Sequence, residues 1–200
     1  MTKEIRQSLS EENLDKVVNL FWVKGFGNTS INDIVNTTGL NRATLYKTFG
    51  GKNKIFLATL EHFYQTVTYP VTLPLRNQAD GVNGIIQFFS KFAELYDSTG
   101  LCSRGCFIIA TASDINSHDE QVVYFIEEFI DGIRTSFRNL LAQSRTDKLL
   151  KADIDIESVT DFLVGNLFGL LTLCRASTSK KIYDNHILGI TYFLSTLTTN

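Results

Sequence analysis

Apolar residues along the chain recur at spacings of three and four, the period of a helix with one buried face. No stretch of useful length alternates as a strand does, and no internal repeat is visible. The first pattern, Leu14, Val17, Val18 and Phe21, follows candidate caps at Ser8 with Glu11 or at Ser10 alone, and Gly25 ends it. Two short patterns come next. Ser30 with Asp33 three residues on is a capping-box arrangement, and Ile31, Ile34 and Val35 predict a helix from about Ile31 to Thr37. Asn41 can cap another, Arg42 to about Thr48, in which Leu45 and Phe49 face inward together with Leu40. Gly39 stands between them where the chain must reverse, and glycine alone accepts positive φ there without a steric cost. A fourth pattern, Ile55, Phe56, Leu60 and Phe63, runs from Gly51 until Pro70 breaks it. Asp80 can cap a fifth that carries Ile85, Ile86, Phe88, Phe89, Phe92 and Leu95. Four more are predicted, from about Arg104 to Asn116, Asp119 to about Ser144, Ile156 to Ala176 and Tyr183 to Leu197. The expected fold is all-α, with about nine helices.

The stretch from Thr29 to Lys54 reads as a helix-turn-helix. Its second helix turns Arg42, Ala43, Thr44, Tyr46 and Lys47 outward, a set that a buried helix would not choose. A helix lying in a DNA major groove needs a small residue for close approach, hydroxyls for phosphates and a cation for guanine. The DNA contacts assigned on this reading are Thr29, Ser30, Asn41, Arg42, Ala43, Thr44, Tyr46, Lys47, Thr48 and Lys52, with Arg42 at a base edge and Lys52 at a phosphate. Charge agrees. Residues 1–60 hold eight Lys or Arg against five acids, a net of +3, and the remainder eleven against sixteen, a net of −5. The overall −2 therefore conceals a basic N-terminal part, and Asn41 to Lys54 carries four cations and no acid.

Two hundred residues, 44% hydrophobic and 20% charged, suffice for one small and one larger domain. The division expected is 1–50 for DNA binding and 51–200 for the rest, with a fourth helix over about 51–69 linking the two. No N-terminal leader and no long uncharged apolar span is evident, so a cytoplasmic protein is expected, without a membrane partner. Three cysteines without CxxC spacing argue against a disulfide framework or a cysteine zinc site, and His62, His118 and His186 share no ligand spacing. There is no phosphate-loop pattern and no Ser, His and Asp set that could be proposed as catalytic; neither cofactor, metal nor enzymatic activity is expected. Cys106, beside Arg104 at the start of the sixth pattern, could be a sensor thiol. The Phe107-Ile108-Ile109 run after it favours a small buried hydrophobe.

Thr29-Ser30-Ile31, Asp33-Ile34, Gly39-Leu40, Ala43-Thr44-Leu45-Tyr46, Phe49 and Lys52 resemble the DNA-binding signature of the TetR (tetracycline repressor) family, over roughly residues 8–60. Gly50-Gly51 and Asn53 depart from the family pattern, which implies a weaker start to the fourth helix. The resemblance implies a second helical domain that binds ligand and dimerises. It places a cavity between helices four to eight, where Phe63, Tyr64, Phe88, Phe92, Phe125 and Phe129, with Cys106, would suit a small apolar or aromatic inducer. The eighth helix is apolar nearly all round, which fits either a central core helix or a dimer face. The resemblance favours the dimer face, with Phe162, Gly165, Phe168, Gly169 and Tyr192 in it. The function implied is a homodimeric regulator of a palindromic double-stranded operator, a repressor released by a small molecule. The rival reading is a helical small-molecule-binding protein or enzyme without a DNA function, which leaves the outward Arg42, Thr44, Tyr46 and Lys47 unexplained.

Overall fold

Ser10 opens the first helix, its hydroxyl accepting from the Asn13 N–H, and Gly25 at φ 81° closes it. The alternative cap at Ser8 lies outside the described residues: the computed structural model of the chain describes residues 10–77, 80–99, 104–176 and 179–199. Regular structure among them is helical, apart from an isolated antiparallel bridge between Leu150 and Thr198. The chain forms two units. One comprises the described residues up to Thr68 together with Asp114–Tyr124, the other Tyr69–Ser113 and the described residues from Phe125 onward.

In the first unit α1 (Glu11–Lys24) packs on α2 (Ile31–Thr38) and α4 (Lys52–Phe63), and α3 (Arg42–Phe49) packs on α2 and α4. Val17, Phe21, Ile34, Leu45, Ile55, Phe56 and Leu60 are buried almost completely. Each stabilises the unit by about 1.5–3 kcal/mol relative to an exposed side chain. Phe21 meets Phe56 edge-on at 4.9 Å and Trp22 meets Phe63 at 5.1 Å, which fixes α4 against α1. Beyond Phe63 the helical backbone widens to π geometry over Tyr64–Thr68 and resumes as one α turn, Tyr69–Thr72. Pro70 accounts for the widening: it has no N–H for an i→i−4 bond and its ring clashes with the carbonyl four residues back.

The second unit contains α5 (Gly81–Thr99), α6 (Phe107–Ala112), α7 (Glu120–Thr146, from Phe125), α8 (Ile156–Arg175) and α9 (Lys180–Leu197). Its core joins Phe88, Phe89, Phe137, Leu140, Leu163, Leu167, Leu170, Tyr183, Ile190 and Leu194. Asp80 was the expected cap of α5. The Val82 N–H is instead satisfied by Ser144 Oγ of α7 at 2.9 Å. Gly81 makes room for that hydroxyl, since a Cβ there would lie 2.2 Å from it. The sixth helix is also shorter than its apolar pattern suggested. Cys106 is its N-cap, Ser113 follows its last residue, and a separate 3-10 turn covers Ile115–Ser117. Ser and Asp side chains compete for local hydrogen bonds there, Ser113 Oγ donating to the Ile109 carbonyl and Ser117 Oγ to Asp114 Oδ1. By length and composition α8 could cross a membrane. Its first two turns, however, carry Glu157 and Asp161, both bound to Arg134 of α7 at 2.7 Å, and its inner face packs in the core.

Candidate nucleic-acid interface

Eight-residue helices are marginal in water by themselves. α2 buries only Ile34, and α3 only Leu45 and Phe49, so their ends matter as much as their faces. At the start of α2 the Asp33 N–H donates to Ser30 Oγ at 3.1 Å, while the Ser30 N–H and hydroxyl each donate to Asp33 Oδ2 at 2.7 Å. Lys24 Nζ, at the end of α1, lies 2.7 Å from Asp33 Oδ1. That ammonium first, and the Ser30 hydrogen bonds second, hold the Asp33 carboxyl far below the usual carboxylate range. The capping box therefore also sets the entry angle of α2 against α1. Gly39 takes φ 72° and its N–H closes on the Val35 carbonyl. Asn41 Oδ1 then accepts from the Thr44 N–H at 2.8 Å and α3 begins.

The geometry leaves Asn41, Arg42, Ala43, Tyr46 and Lys47 exposed along one side of α3, with Thr44 and Thr48 half-buried at its edge and Ser30 exposed at the start of α2. Two members of the expected contact set are placed otherwise. Thr29 is buried, and its hydroxyl donates inward to the Gly25 carbonyl at 2.7 Å. Lys52 turns back as well: Nζ donates to the carbonyls of Phe26 at 2.9 Å and Thr29 at 3.0 Å, and stands 4.2 Å from the centre of the Phe26 ring. Burial holds its pKa below that of an ordinary lysine. The chain before α2 carries carbonyls with no helical partner, and the Lys52 ammonium satisfies two of them. Lys54 is the exposed cation in the first turn of α4, its side chain lying along Gly50. Sequence reasoning also missed Asn32, whose Oδ1 accepts from Arg42 Nη2 at 2.9 Å. Its signal was available, since Asn32 lies on the polar side of α2 between Ile31 and Ile34.

Residues 14–59 match the model of the bacterial regulatory proteins of the tetR family, and residues 81–188 match that of the tetracyclin repressor-like C-terminal domain. The chain belongs to the TetR family. The HTH-type transcriptional repressor BdcR of Escherichia coli (strain K12) is 24% identical over 174 residues, covering 87% of this chain and 83% of that one. A TetR-family transcriptional regulator from Cytophaga hutchinsonii has the same fold, with a TM-score of 0.81 at 16% identity over 100% of this chain and 98% of the other. The TetR-family regulator CifR, solved as a cysteine mutant complexed with 26 bp double-strand operator DNA, matches with a TM-score of 0.73 at 18% identity, over 92% and 95% of the two chains. The protein is a DNA-binding transcriptional regulator with an N-terminal helix-turn-helix.

The remaining expected site residues divide between the two units of this TetR-family chain. Phe88 lies in the core of the second unit, and Phe92, Cys106 and Phe129 pack against it. Phe125 belongs to the same unit, whereas Phe63 and Tyr64 belong to the first, Phe63 against Trp22. Cys102 lies outside the described residues, and Cys106 is a half-buried cysteine. On α8 and α9, Phe162 (46% exposed) and Tyr192 (72%) stand out into solvent, and a Cβ at Gly165 or Gly169 would meet nothing within 4 Å. Phe168 is partly buried on the core. Leu188, 65% exposed, and Ile182, 46%, extend the same apolar exposure and were not singled out from the sequence.

Proposed function

We propose that the protein is a cytoplasmic homodimeric repressor that inserts α3 of each protomer into successive major grooves of a palindromic operator and is released by a small apolar or aromatic molecule bound in the 81–188 region. The observation that carries the reading is α3 itself, which buries two side chains and exposes Asn41, Arg42, Ala43, Tyr46 and Lys47 on a face without an acid. Two such helices must be spaced about one duplex turn, roughly 34 Å, apart. A ligand that binds better to a dimer with a different spacing lowers operator occupancy by no more than that difference in affinity. The aromatic residues in and against the second unit's core, Phe88, Phe92 and Phe129, suit such a ligand. Arg42 is assigned to a base edge, and the phosphate contacts to Lys47, Lys54, Thr44 and Ser30. The test is fluorescence anisotropy with a duplex selected from a random pool by the protein, at two salt concentrations. Binding tighter to the selected than to random duplex, and weakening with salt, is expected. Equal affinity for both overturns the operator reading.

A further inference from the structure

His118 of the Asp114–Tyr124 segment packs against aromatic side chains of the first unit. The imidazole stacks on Phe56 of α4, centroids 4.8 Å apart and planes 9° from parallel, and lies 4.8 Å from the Phe26 ring just after α1. Those two phenyl rings touch each other at 4.9 Å, so the three aromatics close one cluster. Nδ1 of His118 is wholly buried and, among the described residues, has no hydrogen-bond partner. The backbone around it is set: the 3-10 turn Ile115–Ser117 ends on the His118 N–H, and Asp119 caps α7 through its bond from the Val122 N–H at 3.1 Å. The ring thus enters the cluster from a short, doubly pinned piece of chain.

Among the described residues, the charged groups acting on the imidazole are Lys52 from α4 and Asp114 and Asp119 from its own segment; the loop after α1 presents the Phe26 ring. Phe26 is the residue whose carbonyl and ring both engage Lys52. Across this one ring, therefore, a permanent cation and a titratable one are neighbours. We propose that Asp114–Tyr124 is a pH-sensitive strap on the helix-turn-helix unit, held while the His118 ring is neutral and loosened when that ring takes up a proton. Protonation makes both ring nitrogens donors, one of them in a pocket without an acceptor, and sets a second positive charge against Lys52. The Lys52 ammonium fixes the Phe26 and Thr29 carbonyls immediately before α2, so loosening the cluster frees the entry to the DNA-reading helices. Burial chiefly, with Lys52 adding, holds the His118 pKa below the ordinary imidazole value, against the opposing pull of Asp114 and Asp119. For a basic group depressed in the folded state, the unfolded chain binds the proton first. The strap is thus fully held above pH 6.5 and weakens as pH falls below that toward the folded value.

This regulation rests on the DNA-binding reading, and its test has arms that do not. In the full-length protein, operator affinity should fall with acidification below pH 6.5, by up to about tenfold per pH unit over the titration. His118→Phe, which stacks but cannot titrate, should bind with equal or greater affinity at pH 7.5 and show a flat profile, while His62→Gln keeps the acid loss. NMR titration of the His118 ring in the wild type, read beside the emission of Trp22, needs neither DNA nor a variant. An imidazole titrating below 6.5 together with a Trp22 shift supports the strap. An imidazole titrating at or above 6.5, or the same acid loss in His118→Phe, overturns it. Absence of binding to any duplex at any pH would defeat the DNA reading alone, and the ring titration would still decide the strap.

Discussion

Arg42, Lys52 and Lys54 are cations of α3 and the first turn of α4, and their surroundings give them different work. The Arg42 guanidinium is exposed and steadied by Asn32, so a base edge can replace or join that partner. Arg42→Ala should cost about 1–3 kcal/mol on the selected duplex and relax preference at one position. Lys54→Ala should weaken selected and random duplexes alike and lower the salt slope by about 1. Lys52→Ala should lower the melting temperature, because it leaves the Phe26 and Thr29 carbonyls without their donor. Anisotropy on both duplexes and thermal melts separate the three, and a Lys52→Ala protein with unchanged melting would return Lys52 to the phosphate set. Asp33 adds an acid limb of its own. Its carboxylate is stabilised by Lys24 and Ser30 in the folded state, so that contribution is present above the ordinary Asp value of 3.8 and is lost as pH falls below it.

Elements were legible where one physical signal decides them and obscure where two compete. Ser30 with Asp33, Gly39 and Asn41 each have one local reason to occupy their positions, and the α2–turn–α3 unit follows from them with boundaries within a residue. The sixth helix was overextended because the apolar run from Phe107 to Ile109 hid the competition from Ser113, Asp114 and Ser117. The cap of α5 could not be read at all, since its acceptor, Ser144, is supplied from 62 residues away. The inward turn of Lys52 has the same origin: its partners are carbonyls across the unit, and a basic residue at a helix start reads as solvated until they are in view. The caps can be weighed directly. Asn41→Ala removes the acceptor for the Thr44 N–H and should destabilise the protein by about 0.5–2 kcal/mol. It should also weaken DNA binding by more than it weakens the fold, if Asn41, exposed at the start of α3, is one of the proposed DNA contacts. Urea unfolding followed by anisotropy at a denaturant-free reference checks both; a variant as stable as wild type would show that packing of Leu45 and Phe49 alone sets α3.

At the scale of the whole molecule the deciding feature is the apolar surface left by α8 and α9. Phe162, Ile182, Leu188 and Tyr192 expose large hydrophobic area, and Phe162 is braced from beneath by Phe193, whose ring lies 4.6 Å away. Gly165, Gly169 and Gly189 have open space where a Cβ would be. Small residues between exposed apolar ones allow two helices to approach closely, and monomeric proteins seldom leave such a patch uncovered. A second copy of the same two helices is the occupant that the palindromic-operator reading requires. Leu188→Glu and Gly169→Phe therefore form a paired test. Neither replaces a buried side chain within the protomer, so each variant should keep the helical content of the wild type. Each should shift the protein from dimer to monomer by light scattering at micromolar concentration, Leu188→Glu by desolvating a charge and Gly169→Phe by occupying the space a partner helix needs. Because a dimer engages the second half-site intramolecularly, the monomeric variants should lose about 10²–10⁴-fold in affinity for a two-half-site duplex and almost none for a single half-site. Wild-type protein that is monomeric at that concentration, or variants that remain dimeric with full operator affinity, would remove α8 and α9 as the dimer face.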